Sequence, residues 1–399
     1  MTSEASPRPR WLILLALVLV ALNLRIALSS LPAVESDIES ATGWSSVVIG
    51  ALTTLPVLCM GAFALIVPRI ARRIGRRQTV GLALALITGA LLMRLAALVP
   101  GVLHLSALLA GIGIALAAGL VPSVVREQLP TQVGMATGLW TAAMMTGAAL
   151  GGALTVPLAE AFGSWPAALA FWSVPAALAL VVWVLVEEKG HPAVVERGEA
   201  VARPAVHIKD LPWRSRPAWA LTAYLSLNSI VFYTSLAWLA PSFVDRGLTQ
   251  ADAGVVFGIF TASQVVGALV MPLVAERSPA RRTIYAIMVG LVVITLLAIA
   301  FVPSTLTVLV VGMFGLTLGA EFAMGLALLS EWAVDPSASA RLTAMAFSVT
   351  YLSASLGPTM AGGLLDLFDS WQLTFTLLAL VALLQLATVP ALRRGVRIG

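Results

Sequence analysis

Runs of about twenty apolar residues recur from one end of this chain to the other, and nothing else in it constrains the fold as tightly. A bilayer core about 30 Å thick takes about 20 such residues per helical crossing. Twelve runs are expected, near 11–33, 44–68, 79–98, 102–125, 133–160, 165–186, 216–243, 252–275, 283–302, 305–332, 342–367 and 371–392. They use most of the 399 residues and leave short connectors. The runs are continuous rather than alternating, which argues against a transmembrane barrel. Composition agrees: 59% of residues are hydrophobic and 11% charged, where soluble domains carry about 25% charge. The expected fold is an all-α membrane protein of twelve transmembrane helices. The run beginning at Trp11 is expected to be the first span rather than a cleaved leader.

Arginine and lysine decide the expected orientation, because positive charge is retained on the cytoplasmic side. One set of connectors holds Arg8, Arg10, the cluster Arg69, Arg72, Arg73, Arg76 and Arg77, and Arg126. The same set continues through the central segment, Arg277, Arg281, Arg282, Arg341 and the tail, and totals 21 of the 24 basic residues. Both termini are therefore expected in the cytoplasm, in a multi-pass protein of a bacterial inner membrane. The net charge of +5 is then explained by topology, and no nucleic-acid partner is implied. The single cysteine, Cys59, allows no internal disulfide. The one long polar stretch, 187–215, is expected to be a cytoplasmic linker between a half at 1–186 and a half at 216–399.

The halves echo each other at offsets of 204 to 206 residues. Ala71-Arg72-Arg73-Ile74-Gly75-Arg76-Arg77 corresponds to the stretch from Ala275 to Arg282. Leu158-Ala159-Glu160-Ala161-Phe162-Gly163-Ser164-Trp165 corresponds to the stretch from Leu364 to Trp371, and Leu22-Asn23 to Leu227-Asn228.

Two parallel repeats with both termini inside resemble the major facilitator superfamily. The basic turn resembles that superfamily's G-x-x-x-D-R-x-G-R-R loop at Arg73, Gly75, Arg76 and Arg77. Arg72 stands where the aspartate belongs and Pro68 where the first glycine belongs, while the second copy keeps an acid, Glu276. The resemblance implies a loop that helps lock the halves, with its acidic partner missing from the first copy. Further segments narrow the resemblance to the cyanate/nitroimidazole transporter family. They are Leu22-Asn23-Leu24-Arg25, Leu52-Thr53-Thr54-Leu55-Pro56-Val57, Gly111-Ile112-Gly113-Ile114 and Val121-Pro122-Ser123-Val124-Val125-Arg126. Gly138-Leu139-Trp140-Thr141-Ala142-Ala143 and Ala170-Phe171-Trp172-Ser173-Val174-Pro175-Ala176 complete the set. The resemblance implies secondary active transport of a small solute by alternating access, through a cavity lined by the first, fourth, seventh and tenth helices.

Charge inside a span costs at least about 2.5–3.5 kcal/mol on insertion scales and marks candidate sites. Arg25 lies in the first span, and its planar fork of donors suits a small anion. The alternative is a structural contact to a neighbouring helix. Asn23, two positions earlier, is about 200° around the helix from it. Glu321 lies near the middle of the tenth span, where it would either bind and release a proton or form a permanent salt bridge with Arg25. Asn228 and Tyr233 in the seventh span, Gln264 in the eighth and Trp140 in the fifth are further substrate candidates; the two amides could equally join helices. Trp238 is expected in the interfacial belt, and Arg94 is expected to snorkel. Glu35, Asp37 and Glu39 read as a solvated face, and His104 as a lone interfacial histidine without a metal. Pro157 and Pro358 are expected to bend their helices.

No nucleophile elbow, metalloprotease signature or phosphate loop is present, so the chain is not expected to be an enzyme, and ATP-driven transport by this chain alone is excluded. No cofactor is implied. The expected partners are a small molecule, lipid and, in a coupled mechanism, protons, with the chain acting as a monomer. A small anion such as cyanate is the first expectation; proton-driven export of a heteroaromatic compound is the second. A non-transporting receptor is a third reading, and the short tail from Arg393 offers it no signalling segment.

Overall fold

The computed structural model describes residues 10–128, 133–187, 208–301 and 306–399, and these are helical almost throughout. Among the described residues the one isolated β-bridge joins Ala333 to Ile398. Eleven helices among them are long and apolar enough to cross a membrane. The first half comprises α1 (Arg10–Ala33), α2 (Glu35–Thr42), α3 (Ser46–Phe63), α4 (Val67–Ile74), α5 (Arg76–Met93), α6 (Val102–Gln128), α7 (Val133–Phe162), α8 (Trp165–Phe171) and α9 (Ser173–Glu187). The second comprises α10 (Arg216–Val244), α11 (Gln250–Arg277), α12 (Arg281–Phe301), α13 (Thr307–Glu331), α14 (Pro336–Ala354), α15 (Leu356–Phe368) and α16 (Trp371–Leu384), followed by a 3₁₀ segment Gln385–Ala391. Most of the expected linker, 188–207, lies outside the described residues.

The run expected at 342–367 is not one straight helix but the pair α14 and α15, divided at Ser355. Pro358 accounts for the break. It has no N–H for the Ala354 carbonyl, and its ring crowds that carbonyl. Pro175 stands in the same relation to the break between α8 and α9 at Trp172. α7, by contrast, passes through Pro157 without interruption.

The repeat seen in the sequence reappears in the packing. α1 lies on α7 as α10 lies on α14, α3 on α6 as α11 on α13, and α5 on α9 as α12 on α16. Small residues make the close crossings possible. A Cβ at Gly147 or Gly151 of α7 would strike α1 at Leu22 or Ser29, and one at Gly319 of α13 would strike Gln264 of α11. Large apolar side chains such as Leu95, Phe301, Leu309 and Leu367 remain on the outside, as a lipid-facing surface requires.

Two ends of the bundle can be distinguished. The basic end carries α4, the α13–α14 connector and the chain's tail; the far end carries α2 and the α15–α16 connector. At the far end the halves are joined. Asp366 of α15 accepts hydrogen bonds from the backbone N–H groups of Ser46 (2.7 Å) and Val47 (2.9 Å), at the start of α3. A carboxylate here meets unpaired donors and the positive end of the helix dipole. Thr54 donates to the Ser355 carbonyl at 2.7 Å, and a Cβ at Gly50 would lie 2.7 Å from the Pro358 oxygen. Gln250 of α11 donates to Ser36 of α2, and Gly254 faces Gly152 across the α7–α11 crossing.

Three expectations change here. Arg94 does not snorkel. It is fully buried, because α5 tightens into a 3₁₀ turn (Arg94–Ala96) that aims the guanidinium at α1. There it donates to Ser30 Oγ (3.0 Å) and the Ala27 carbonyl (2.9 Å). Trp238 is no belt residue: α10 is the most enclosed span, and the indole donates to the Pro358 carbonyl at 2.8 Å. Glu35 is not fully solvated; it lines small clefts in the far seam with Trp238, Ala240 and Pro241.

Candidate functional site

Arg25 leaves the core of α1 and enters the junction between the halves. Its guanidinium carbon lies 5.1 Å from the centroid of Phe232 and 5.8 Å from that of Tyr233, both on α10. Tyr351 of α14 adjoins this pair, the Tyr233 and Tyr351 rings meeting edge to face at 6.2 Å. The Tyr233 hydroxyl points to the sulfur of Met60 on α3 at 3.8 Å. Four helices from two halves therefore meet at one cation. Arg25 is 8% exposed, yet its Nε and Nη1 have no hydrogen-bond partner within the protein. Buried donors are nearly always satisfied, and a guanidinium's planar N–H groups suit an oxyanion, carboxylate or linear anion. The aromatic faces partly offset the cation's burial.

Glu321 occupies a different place. It is fully buried inside the second half. Its Oε2 accepts a hydrogen bond from Asn228 of α10 at 3.0 Å, and Asn228 also donates to the Leu318 carbonyl at 3.2 Å. Tyr224 and Gln385 stand beside the carboxyl, while Oε1 has no hydrogen-bond partner. The salt bridge with Arg25 weighed from the sequence does not form: each side chain keeps its own surroundings, and among the described residues the second half pairs Arg281 with Glu331 instead. Three fully buried polar side chains around a carboxyl, without a cation, form a site able to hold a proton.

The remaining candidates separate. Asn23 faces α9, donating to the Leu19 (2.8 Å) and Pro175 (3.1 Å) carbonyls, and so serves helix packing rather than the Arg25 junction. Its two-residue spacing from Arg25 had already put them on different faces. Gln264 donates to its own helix at Phe260, 3.4 Å away, where α11 meets α13. Trp140 is half-buried on α7, against the apolar interior. In the loop motif, Gly75 ends α4 at φ +92°, a conformation that favours glycine. Arg76 and Arg77 then open α5, and Arg77 Nη2 donates to the Val184 carbonyl at 3.2 Å. Arg73 and Glu276 are exposed at the basic end. His104 approaches the Val48 carbonyl at 3.1 Å, and no cluster of metal-ligating side chains occurs among the described residues.

Sequence reasoning missed Phe232, Tyr351, Tyr224, Tyr285 and Gln385. Scarcity was the available signal for the tyrosines. The chain has four tyrosines, Tyr224, Tyr233, Tyr285 and Tyr351, and all lie in spans, around either Arg25 or Glu321.

Comparisons with known proteins agree with this architecture. The major facilitator superfamily model matches residues 13–245 and 236–395. The 2-nitroimidazole transporter of Escherichia coli (strain K12) is 30% identical over 389 residues, 96% of this chain and 95% of that protein. The cyanate transport protein CynX of the same organism is 30% identical over 367 residues, 92% of this chain and 93% of that protein. Among solved structures, a bacterial homologue of the human lysosomal transporter Spinster, in an inward-facing and occupied conformation, superposes with a TM-score of 0.78 at 15% identity. It covers 96% of this chain and 97% of its own, and at that identity it speaks for the fold alone. A chain that shares this fold, this model match and these full-length relatives is a multi-pass transporter of a small solute, not an enzyme. It belongs to the major facilitator superfamily, in the cyanate/nitroimidazole transporter family.

Proposed function

We propose that this protein is a secondary transporter of a small anion, cyanate being the first candidate, and that it works by alternating access with Arg25 as the anion-binding group. One observation carries the reading: a buried guanidinium at the junction of the halves with two nitrogens unpartnered in the protein, framed by Phe232 and Tyr233. A linear anion would satisfy those donors and lie against the rings. The relationship to CynX supports the choice of cyanate. Glu321 is the proposed proton carrier, since it has no counter-cation and a free carboxyl oxygen. The basic end is proposed to face the cytoplasm of a bacterial inner membrane, following the distribution of Arg and Lys. The joined far end then makes this arrangement one that opens inward. The residues before Arg216 are proposed to act as a linker between the halves, and the chain as a monomer.

A second reading is favoured by the aromatic frame itself. Phe232, Tyr233, Tyr351 and Phe347 form a contiguous run of rings with centroids 4.9–6.2 Å apart. A flat heteroaromatic such as a nitroimidazole would stack there, with Glu321 supplying the proton exchanged during export; the 30% identical relative points the same way.

Uptake of labelled cyanate into proteoliposomes, with and without an imposed pH gradient, separates the two. The anion reading expects saturable uptake that Arg25→Ala abolishes and that a pH gradient drives in wild type but not in Glu321→Gln. No cyanate flux in vesicles that do move 2-nitroimidazole would overturn the anion reading in favour of the aromatic one.

A further inference from the structure

A cavity opens at the basic end inside the second half, away from Arg25. Its volume is about 550 Å³, and its rim carries Glu276, Arg281, Glu331 and Arg394. The tail passes over it. Arg394 donates to the Glu276 and Ser278 carbonyls, and the Ile398 N–H reaches the Trp332 carbonyl at 2.8 Å. Arg281 and Glu331 pair across the wall through two hydrogen bonds of 2.9 and 2.7 Å.

The inner wall is Tyr285 and Met324, both buried. Met324, Ala327, Ser330 and Glu331 line the cavity from α13, and Glu321 stands three residues before Met324, about 60° around the helix from it. Three residues are about 4.5 Å of helix rise. The carboxyl thus lies a single turn beyond the cavity's end. Tyr285 fixes the wall by donating to the Met324 carbonyl at 2.9 Å, and its ring meets Tyr224 edge to face at 5.6 Å. Tyr224 in turn stands beside Glu321, its hydroxyl without a hydrogen-bond partner. The groups facing the carboxyl are therefore Asn228 and Tyr224 from α10 and Gln385 from the 3₁₀ segment. α12 contributes Tyr285 and, further out, Arg281; α11 contributes Glu276 at the rim.

We infer that Glu321 exchanges its proton with the basic side through this cavity inside the second half, past a gate made by Tyr285 and Met324, and not through the route between the halves. The inference rests on the reading of Glu321 as the proton carrier. The step is a simple transfer: the carboxylic O–H breaks, a water that has passed Met324 takes the proton, and the carboxylate keeps Asn228 as its donor. Substrate and proton then use separate paths to the same side, one at Arg25 and one inside the second half.

Infrared difference spectroscopy of the full chain in liposomes tests this. The Glu321 carboxyl band is identified by its loss in Glu321→Gln, and its exchange rate is followed after a jump into D₂O. Met324→Ala and Tyr285→Phe should speed exchange by about tenfold, the factor that about 1.4 kcal/mol of barrier represents. Met324→Trp should slow it, and Leu352→Trp, in the α3–α14 crossing between the halves, should leave it unchanged. An unchanged thermal midpoint in detergent shows that each variant is folded. Exchange slowed by Leu352→Trp and indifferent to Met324 would overturn the inference while leaving Glu321 as the carrier. Absence of any band that Glu321→Gln removes would instead overturn the carrier reading on which it rests.

Discussion

Arg25 and Arg94 are both arginines buried in the first half, and their partners assign them opposite roles. Arg94 spends its donors on Ser30, Ala27 and Ser106 and ties α5 to α1. Removing it strands those acceptors, so Arg94→Ala should destabilise the folded protein by about 2–4 kcal/mol, read as a lowered thermal midpoint in detergent. Arg25 has donors left over. Arg25→Lys keeps the charge but not the planar fork, so stability should hold while the KM for anion uptake rises at least about tenfold, the equivalent of 1.4 kcal/mol. Glu35 offers a pH test at the far seam. Burial, with Glu39 and Asp245 nearby, pushes its carboxyl up to about 7 from 4.5. The closed seam therefore carries no penalty below about 4.5, a growing one as pH rises, and the full one above about 7. Labelling of a cysteine at Thr53, buried in the cleft that Glu35 lines, with Cys59 replaced by serine, should increase as outside pH rises through that window, and Glu35→Gln should flatten the response. Arg25 and Glu321 were legible as charges in apolar runs. The inward turn of Arg94 was not, because its acceptors are a carbonyl and hydroxyls on distant helices.

At the scale of elements, the helices were readable because about twenty apolar residues admit little else in a bilayer. Their breaks were readable only in part. Pro358 divides its helix and Pro157 does not interrupt α7, so a proline in the sequence does not by itself set a break. The buried Pro358 carbonyl takes the Trp238 indole N–H, which draws that tryptophan out of the expected belt. The seam between α3 and α15 was not legible, since it joins positions more than 300 residues apart. Asp366→Asn should loosen it, weakening one charge-assisted hydrogen bond and losing the other, since an amide NH2 cannot accept, at a cost of about 1–3 kcal/mol. Gly50→Val should act more strongly, because the added carbons meet the Pro358 carbonyl. Both variants should raise labelling from the far side, and Gly50→Val should reduce transport more than Asp366→Asn.

For the whole molecule, duplication explains why two unlike polar sites coexist. The same helix pairings recur in both halves, but Arg25 marks the junction of the halves and Glu321 the interior of the second. The sequence offsets revealed the duplication and placed both residues in spans; which neighbours surround each depends on helix rotation, which composition does not report. The central claim is that the free donors of Arg25 bind the transported anion. Calorimetric titration of cyanate into the purified full-length protein tests it most directly, in wild type, Arg25→Gln and Glu321→Gln. The account predicts saturable binding in wild type and in Glu321→Gln, and none in Arg25→Gln of unchanged thermal stability. Equal cyanate affinity in Arg25→Gln and wild type would contradict it.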